Sequence, residues 1–402
     1  MYTCYNKRVW EECMFKKIAK LGLLPLVITA IGLGIGAGFV FPDWLTRIFL
    51  TFNGLFGQFL GFVVPLLILG LIAPGIAELG KSAGKLLLIT VLLAYGFTVF
   101  AGVFTYLTGV LAYPVLLDKN ASLVAFTAPH ELSAYFTLPI PPIMDVTTSL
   151  VLAFMLGLTM AFLNTNTLKA VMCEFRDIIN KVIVSVIIPL LPLYIFGIFL
   201  NMTVTGQVAA VLAVFAKIII FIFLITLTML LIQFTIAGTI SRQNPLKMIK
   251  TMLPAYFTAL GTSSSAATIP VTYKQVQELG VKEEIAGFTV PLCANIHMTG
   301  STIKITACAM AIVLLTGGNL EFWQFVGFVC MLGVSIVAGP GVPGGAIMAS
   351  LGVLQKILGF NEQMLGLMIA RYIAMDSFGT ACNVTGDGAI SVIVNKIAEK
   401  KK

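Results

Sequence analysis

Two stretches place polar and ionisable side chains inside otherwise apolar segments. The first is Asn295-Ile296-His297-Met298-Thr299-Gly300-Ser301, with Lys304 one turn later; the second runs from Asp376 to Thr380 and on through Asn383, Thr385 and Asp387. Asp376, Thr380, Asn383 and Asp387 are separated by four, three and four residues, which puts them on one face of a helix. A carboxylate on that face suits an ammonium group or a sodium ion. Hydroxyls, amides and carbonyls freed where Gly379 and Gly386 loosen the backbone supply neutral oxygen ligands. The chemistry on offer is reversible binding of a small polar solute and a cation, with a polar helix–helix seam that binds nothing as the plainer alternative. An enzyme is not expected: Ser264 and His297 make an imaginable nucleophile–base pair, but no third group orients the base. No cofactor is called for.

The elements that carry these residues belong in a membrane. Of 402 residues, 58% are hydrophobic and 10% charged, and the mean hydropathy is +1.01, where a soluble domain carries about 25% charged residues. Apolar stretches of about 20 residues, enough to cross a hydrocarbon core about 30 Å thick, recur along the chain. Candidate spans are 20–41, 45–77, 83–113, 146–166, 179–204, 208–240, 286–316 and 363–395. The net charge of +8 is spread in short clusters between them, which fits membrane orientation and excludes nucleic acid as a partner. Lys81 and Lys85, then Lys169, Arg176 and Lys181, then Arg242, Lys247 and Lys250 fall at alternate connections, so both termini are expected on the cytoplasmic side. The basic cluster Lys7 to Lys20 is expected to be the tail of a retained first span. The seven cysteines are expected to be free thiols, and the 118–145 connection is read only as a long loop.

Two segments, 252–284 and 322–356, are long enough to cross but are interrupted at Gly261-Thr262-Ser263-Ser264-Ser265 and at Ala338 through Gly345. A continuous helix through Gly339-Pro340-Gly341-Val342-Pro343-Gly344-Gly345 would lose hydrogen bonds and gain clashes. Re-entrant helical hairpins solve this, with tips facing protein or a watery cavity. Each hairpin is followed by a span, and the two units enter from opposite sides, which makes an inverted repeat.

At these residues the chain resembles the dicarboxylate/amino acid:cation symporter family, the glutamate-transporter and neutral amino acid exchanger group. The resemblance rests on Ser263-Ser264-Ser265 with Pro270-Val271-Thr272, on Gly341-Val342-Pro343-Gly344, and on Asn383-Val384-Thr385-Gly386-Asp387. It implies an all-α membrane fold of eight transmembrane helices and two re-entrant hairpins, assembled as a homotrimer and working as an elevator. Residues 1–77 and 116–205 would form a scaffold, with trimerisation on the fourth and fifth spans, and 78–115 and 206–402 a mobile transport domain. Asp376 would hold a substrate amino group, with Gly379, Thr380 and Asn383 beside it. Ser263, Ser264 and Ser265 on one hairpin and Val342 and Gly344 on the other would hold the carboxylate. Asp387 would ligate sodium. Ser335, Ile336 and Ala338, with Asn295 and Met298, would form a second sodium site, and His297, Thr299, Ser301 and Lys304 belong to the cation-binding or cation-replacing region.

Departures from the family pattern narrow the expectation. Members that take acidic amino acids carry an arginine at the position of Gly379 or of Thr262, so a second carboxylate would be buried unpaired here unless Arg371, roughly two turns toward the outer end, fills the gap. A small neutral amino acid is expected. The family's Asn-Met-Asp-Gly-Thr stretch reads His297-Met298-Thr299-Gly300-Ser301, and Ala94-Tyr95 replaces a threonine-serine pair, so at least one sodium site is dismantled. Lys304 could put an ammonium in the vacated space, carry a proton, snorkel, or pair with a distant carboxylate; His297 is either a structural histidine or a proton relay. The expected function is secondary active, sodium-coupled amino acid transport in the cell membrane. A proton-coupled or sodium-independent amino acid or dicarboxylate transporter or exchanger, with Lys304 replacing a sodium ion, is the alternative, and an ion channel is the rival of another class.

Overall fold

The computed structural model describes residues 23–78, 85–116, 132–144, 146–162, 166–206, 208–337 and 344–399. Among them the chain is helical, with no strand. The early helices are α1 (Leu23–Gly38), α2 (Asp43–Glu78), α3 (Lys85–Leu116), α4 (Val146–Phe162), α5 (Asn166–Val182), α6 (Ile188–Val204) and α7 (Val208–Ser241). A π-turn at Ile183–Ile187 joins α5 to α6. The later ones are α8 (Pro245–Thr262), α9 (Ser265–Glu278), α10 (Glu283–Ile296), α11 (Thr299–Leu315), α12 (Phe322–Val337), α13 (Gly345–Leu358), α14 (Glu362–Ala374) and α15 (Asp376–Glu399). Five helical runs among the described residues are long and apolar enough to cross a membrane: Asp43–Pro74, Leu86–Leu116, Thr167–Val204, Phe215–Ser241 and Glu283–Leu315. Large apolar side chains such as Leu92, Val151, Ile220 and Leu224 point outward, as a lipid-facing surface requires.

The helix ends follow local chemistry. Asn244 caps α8, its side chain accepting from the amides of Leu246 and Lys247, and Pro245 sits in the first turn. The anticipated interruption near Ser263 is a two-residue break: Ser263 takes a left-handed conformation at φ 50°, and Ser264 caps α9 through its hydroxyl. α8 and α9 pack against each other across it, as do α12 and α13. The tip expected at 338–343, the N-terminal basic cluster, Lys81 and the C-terminal lysines at 400–402 lie outside the described residues.

Two breaks were not anticipated. The span expected at 286–316 is α10 and α11, parted at His297 and Met298, where His297 is extended (φ −93°, ψ 99°). The span expected at 363–395 is α14 and α15, parted at Met375. Both breaks adjoin the polar stretches. An extended residue redirects its side chain and frees neighbouring peptide groups, which a continuous helix cannot do.

α15 is the hub: it packs on α3, α7, α8, α9, α10 and α11, and of the residues from Asp376 to Asn395 only Phe378 is exposed. A second group, α1, α2, α4 and α6, packs together. Residues 132–144, within the unread loop, run along α2: the Tyr135 amide donates to Thr51 Oγ1 at 2.9 Å, and the Arg47 guanidinium lies 4.4 Å from the centre of the Tyr135 ring. α14 meets α2 and α6 through Glu362, whose carboxylate accepts from Gln58 Nε2 at 2.8 Å and whose carbonyl accepts from the Tyr194 hydroxyl.

The Asn244 cap gives a direct check on the entry to α8. Asn244→Ala is expected to lower stability by about 1 kcal/mol, and Asn244→Asp to retain most of it, in thermal unfolding of the purified protein.

Candidate functional site

A deeply buried cation lies against the first residue of α15. Lys304 on α11 is fully buried, and its Nζ donates to Asp376 Oδ1 at 3.1 Å and to the Asp376 main-chain carbonyl at 3.3 Å. The same ammonium stands 3.8 Å from the centre of the Tyr372 ring, a contact whose attraction grows when water is excluded. The other carboxylate oxygen, Asp376 Oδ2, accepts from the Gly344 amide at 2.7 Å, at the start of α13. Gly379 makes this possible: a Cβ there would overlap Lys304 Cε, so a side chain at this position would displace the lysine. The position at which the resemblance calls for an arginine thus does have a cation beside it, supplied from α11 through the gap left by glycine. Of the roles open to Lys304, pairing with a distant carboxylate is the one the geometry displays.

Eleven residues further on, Asp387 is held by the break between α10 and α11. His297 Nδ1 lies 2.9 Å from Asp387 Oδ1 and 3.1 Å from the Asn383 carbonyl. Both neighbours are acceptors, so Nδ1 carries the hydrogen. Nε2 faces Thr299 Oγ1 at 2.6 Å and Gln233 Nε2 at 3.0 Å, and Gln233 Nε2 also donates to Thr299 Oγ1 at 3.2 Å. Gly386 leaves room for this knot, since a Cβ there would overlap the imidazole Cε1 and press on Gln233 Oε1. Asp387 Oδ2 is buried with no hydrogen-bond partner among the described residues, which leaves one free carboxylate oxygen that a cation would satisfy.

Asn383 ties the two centres together. Its Oδ1 accepts from the Gly300 amide at 2.7 Å, and its Nδ2 donates to Ser301 Oγ at 3.2 Å and approaches Met298 Sδ at 3.6 Å. The Tyr372 hydroxyl donates to the same Ser301 oxygen at 3.2 Å. A cavity opens where this network meets the helix ends: Ser263, Ser264 and Ser265 form one wall, Asp376, Thr380 and Asn383 another, and Met298, Ser301 and Ile336 close it. The N-terminus of α9 therefore begins at the wall, and the first amides of a helix are a ready anion site.

Most residues singled out in the sequence converge here, with exceptions. Asn295 is exposed and donates to the Pro291 carbonyl of its own helix, so it stands apart from the cluster. Ser335 is buried, and its hydroxyl has no partner among the described residues. Val342 and Ala338 lie outside the described residues. Two residues of the network went unread: Gln233, a lone amide in the apolar run of α7, and Tyr372, one turn before Asp376. The isolated amide was a legible signal; the tyrosine was not distinguishable from an ordinary aromatic packing residue.

The model of the sodium:dicarboxylate symporter family matches residues 23–397. A serine/threonine transporter SstT from Acinetobacter baumannii (strain AYE) is 27% identical, with 95% of this chain and 98% of the relative covered. One from Enterococcus faecalis (strain ATCC 700802 / V583) is 24% identical over 97% of this chain and 94% of the relative. An excitatory amino acid transporter from Caenorhabditis elegans is 27% identical over 62% of this chain and 50% of the relative. The chain belongs to the sodium:dicarboxylate symporter family.

The histidine knot is testable by a double-mutant cycle. His297→Leu strips Asp387 of its partner and is expected to cost about 3–5 kcal/mol, as removal of one member of a buried pair does. His297→Leu with Asp387→Asn is expected to cost less than the sum of the single changes, by about 1 kcal/mol or more, in thermal unfolding. Additive losses would mean that the two side chains do not interact.

Proposed function

We propose that the chain is a secondary active transporter of a small neutral amino acid, coupled to sodium at fewer sites than members of the family that take acidic substrates. The observation that carries this reading is the cavity between the serine break and the Asp376–Thr380–Asn383 face of α15. It offers helix-terminal amides and hydroxyls for a carboxylate at one end and, at the other, the Asp376 carboxylate, which an amino group would share with Lys304. The names of the relatives, serine/threonine transporter and excitatory amino acid transporter, agree with an amino acid as the solute. Sodium coupling is supported by the free, buried Asp387 Oδ2. The reduced number of sodium sites is supported by Thr299 and Ala94 standing where the family pattern has a carboxylate and a hydroxyl.

The architecture proposed with this function is eight spans and two re-entrant hairpins, α8–α9 and α12–α13, in an elevator. Residues 1–77 and 116–205 would be the scaffold of a homotrimer, and 78–115 and 206–402 the moving domain. The two packing groups support the division, one around α15 and one of α1, α2, α4 and α6. The place of work is the cell membrane, with both termini cytoplasmic.

One observation favours a second reading. His297 already donates toward Asp387 Oδ1 and the Asn383 carbonyl, so a protein-borne donor occupies oxygens that would otherwise face an ion. In that reading transport is sodium-independent or proton-coupled.

Uptake of labelled amino acids into proteoliposomes separates the two. With sodium outside, serine, threonine and alanine are expected to accumulate and aspartate and glutamate to be poor substrates. Asp376→Asn is expected to lower kcat/KM for amino acids by about 10- to 150-fold, the loss of a charge-assisted contact worth about 1.5–3 kcal/mol. Undiminished uptake without sodium, driven instead by an inward proton gradient, would favour the second reading; no uptake under either gradient would refute both.

A further inference from the structure

We propose that Lys304 is a built-in occupant of the ammonium subsite on Asp376, so that the carrier accepts short 2-hydroxycarboxylates alongside 2-amino acids. The proposal rests on the reading of the cavity as an amino acid site and concerns what that site demands of the group on the second carbon.

Among the described residues Asp376 is the one carboxylate on the cavity wall, and both of its oxygens are engaged before any solute arrives. Oδ1 takes the Lys304 ammonium at 3.1 Å and Oδ2 takes the Gly344 amide at 2.7 Å. Lys304 cannot easily leave. Its side chain fills the space where Gly379 lacks a Cβ, its ammonium also rests on the Tyr372 ring and the Asp376 carbonyl, and no part of it is exposed. The only other buried carboxylate among the described residues is Asp387, about 16 Å along the helix and already joined to His297. A displaced Lys304 would have no carboxylate to go to.

An amino acid therefore enters against a resident cation. Its ammonium must share one carboxylate with the lysine or push the lysine into a region without a counter-charge, and a buried, unpaired ammonium costs several kcal/mol. The competitor is tethered, which keeps its effective concentration on the order of millimolar or above. A hydroxyl on the same carbon meets no such contest. It donates one hydrogen bond to a free lone pair of Asp376 and adds no positive charge, while the solute carboxylate uses the N-terminus of α9 in both cases. A site with a free carboxylate rejects the hydroxyl analogue by leaving that charge unpaired; here Lys304 has removed the penalty.

The test compares L-serine with L-glycerate, which differ only in ammonium against hydroxyl, by competitive binding to the full chain in lipid nanodiscs. Wild-type protein is expected to bind glycerate within about tenfold of serine. Lys304→Met, which frees the carboxylate, is expected to shift the ratio of the two Kd values toward serine by about tenfold or more, and Lys304→Gln, which keeps a hydrogen bond without the charge, to shift it in the same direction. Serine binding with glycerate more than about 100-fold weaker in the wild type would overturn the proposal without any variant and leave the amino acid reading intact. A ratio unchanged in both variants would do the same. Glycerate bound and serine ignored by wild type and variants alike would sink the amino acid reading and the proposal with it.

Discussion

Two carboxylates buried on one helix govern this structure. Asp376 and Asp387 stand at opposite ends of the polar face of α15, and each is 6% exposed or less. Charge at that depth is costly unless it is met by a partner and hydrogen bonds. The partners come from a single neighbouring stretch: Lys304 from the second turn of α11 and His297 from the extended residue that precedes it. The break at His297 and Met298 follows from this demand, since a continuous helix through 286–316 would not allow the imidazole its extended, redirected position. The two glycines opposite, Gly379 and Gly386, are the complementary half, each leaving the volume that its partner side chain fills.

The cavity inherits its character from those pairs. Because Asp387 is gripped through one oxygen only, the other is left without a partner among the described residues, and because Asp376 is gripped through both, its charge is neutralised inside the protein. The two ends of one helix thus differ in kind: one has spare capacity for a cation and the other is self-compensated. Asn383, bonded to the Gly300 amide and to Ser301, lies between them and couples their positions. Hydrogen-bond networks of this sort hold a fixed geometry where they are fully satisfied and admit a ligand where they are not.

Much of this was legible beforehand. The polar face of α15 was visible as a four-three-four spacing, the serine break as a run of small polar residues, and the membrane setting as composition. What escaped was long-range. Nothing local distinguishes a lysine that snorkels from one that reaches across to Asp376, 72 residues away; the choice is made by the empty volume at Gly379, which only packing reveals. For the same reason the sequence shows no cation beside Gly379: the lysine that fills the gap comes from α11, 75 residues before it in the chain. The break at Met375 is hidden in the sequence because Ile373 to Phe378 contains no glycine or proline of the kind that marks the other interruptions. In the extended turn it is His297, not the exposed Asn295, whose side chain reaches Asp387.

A side-chain-resolution density map of the solute-free protein in lipid nanodiscs measures the governing interaction most directly. Density joining Lys304 to Asp376 and His297 to Asp387, with the chain extended at 297–298, is the expected result. Unbroken helices through 286–316 and 363–395, with the lysine and histidine turned away from α15 and both carboxylates facing water, would contradict it.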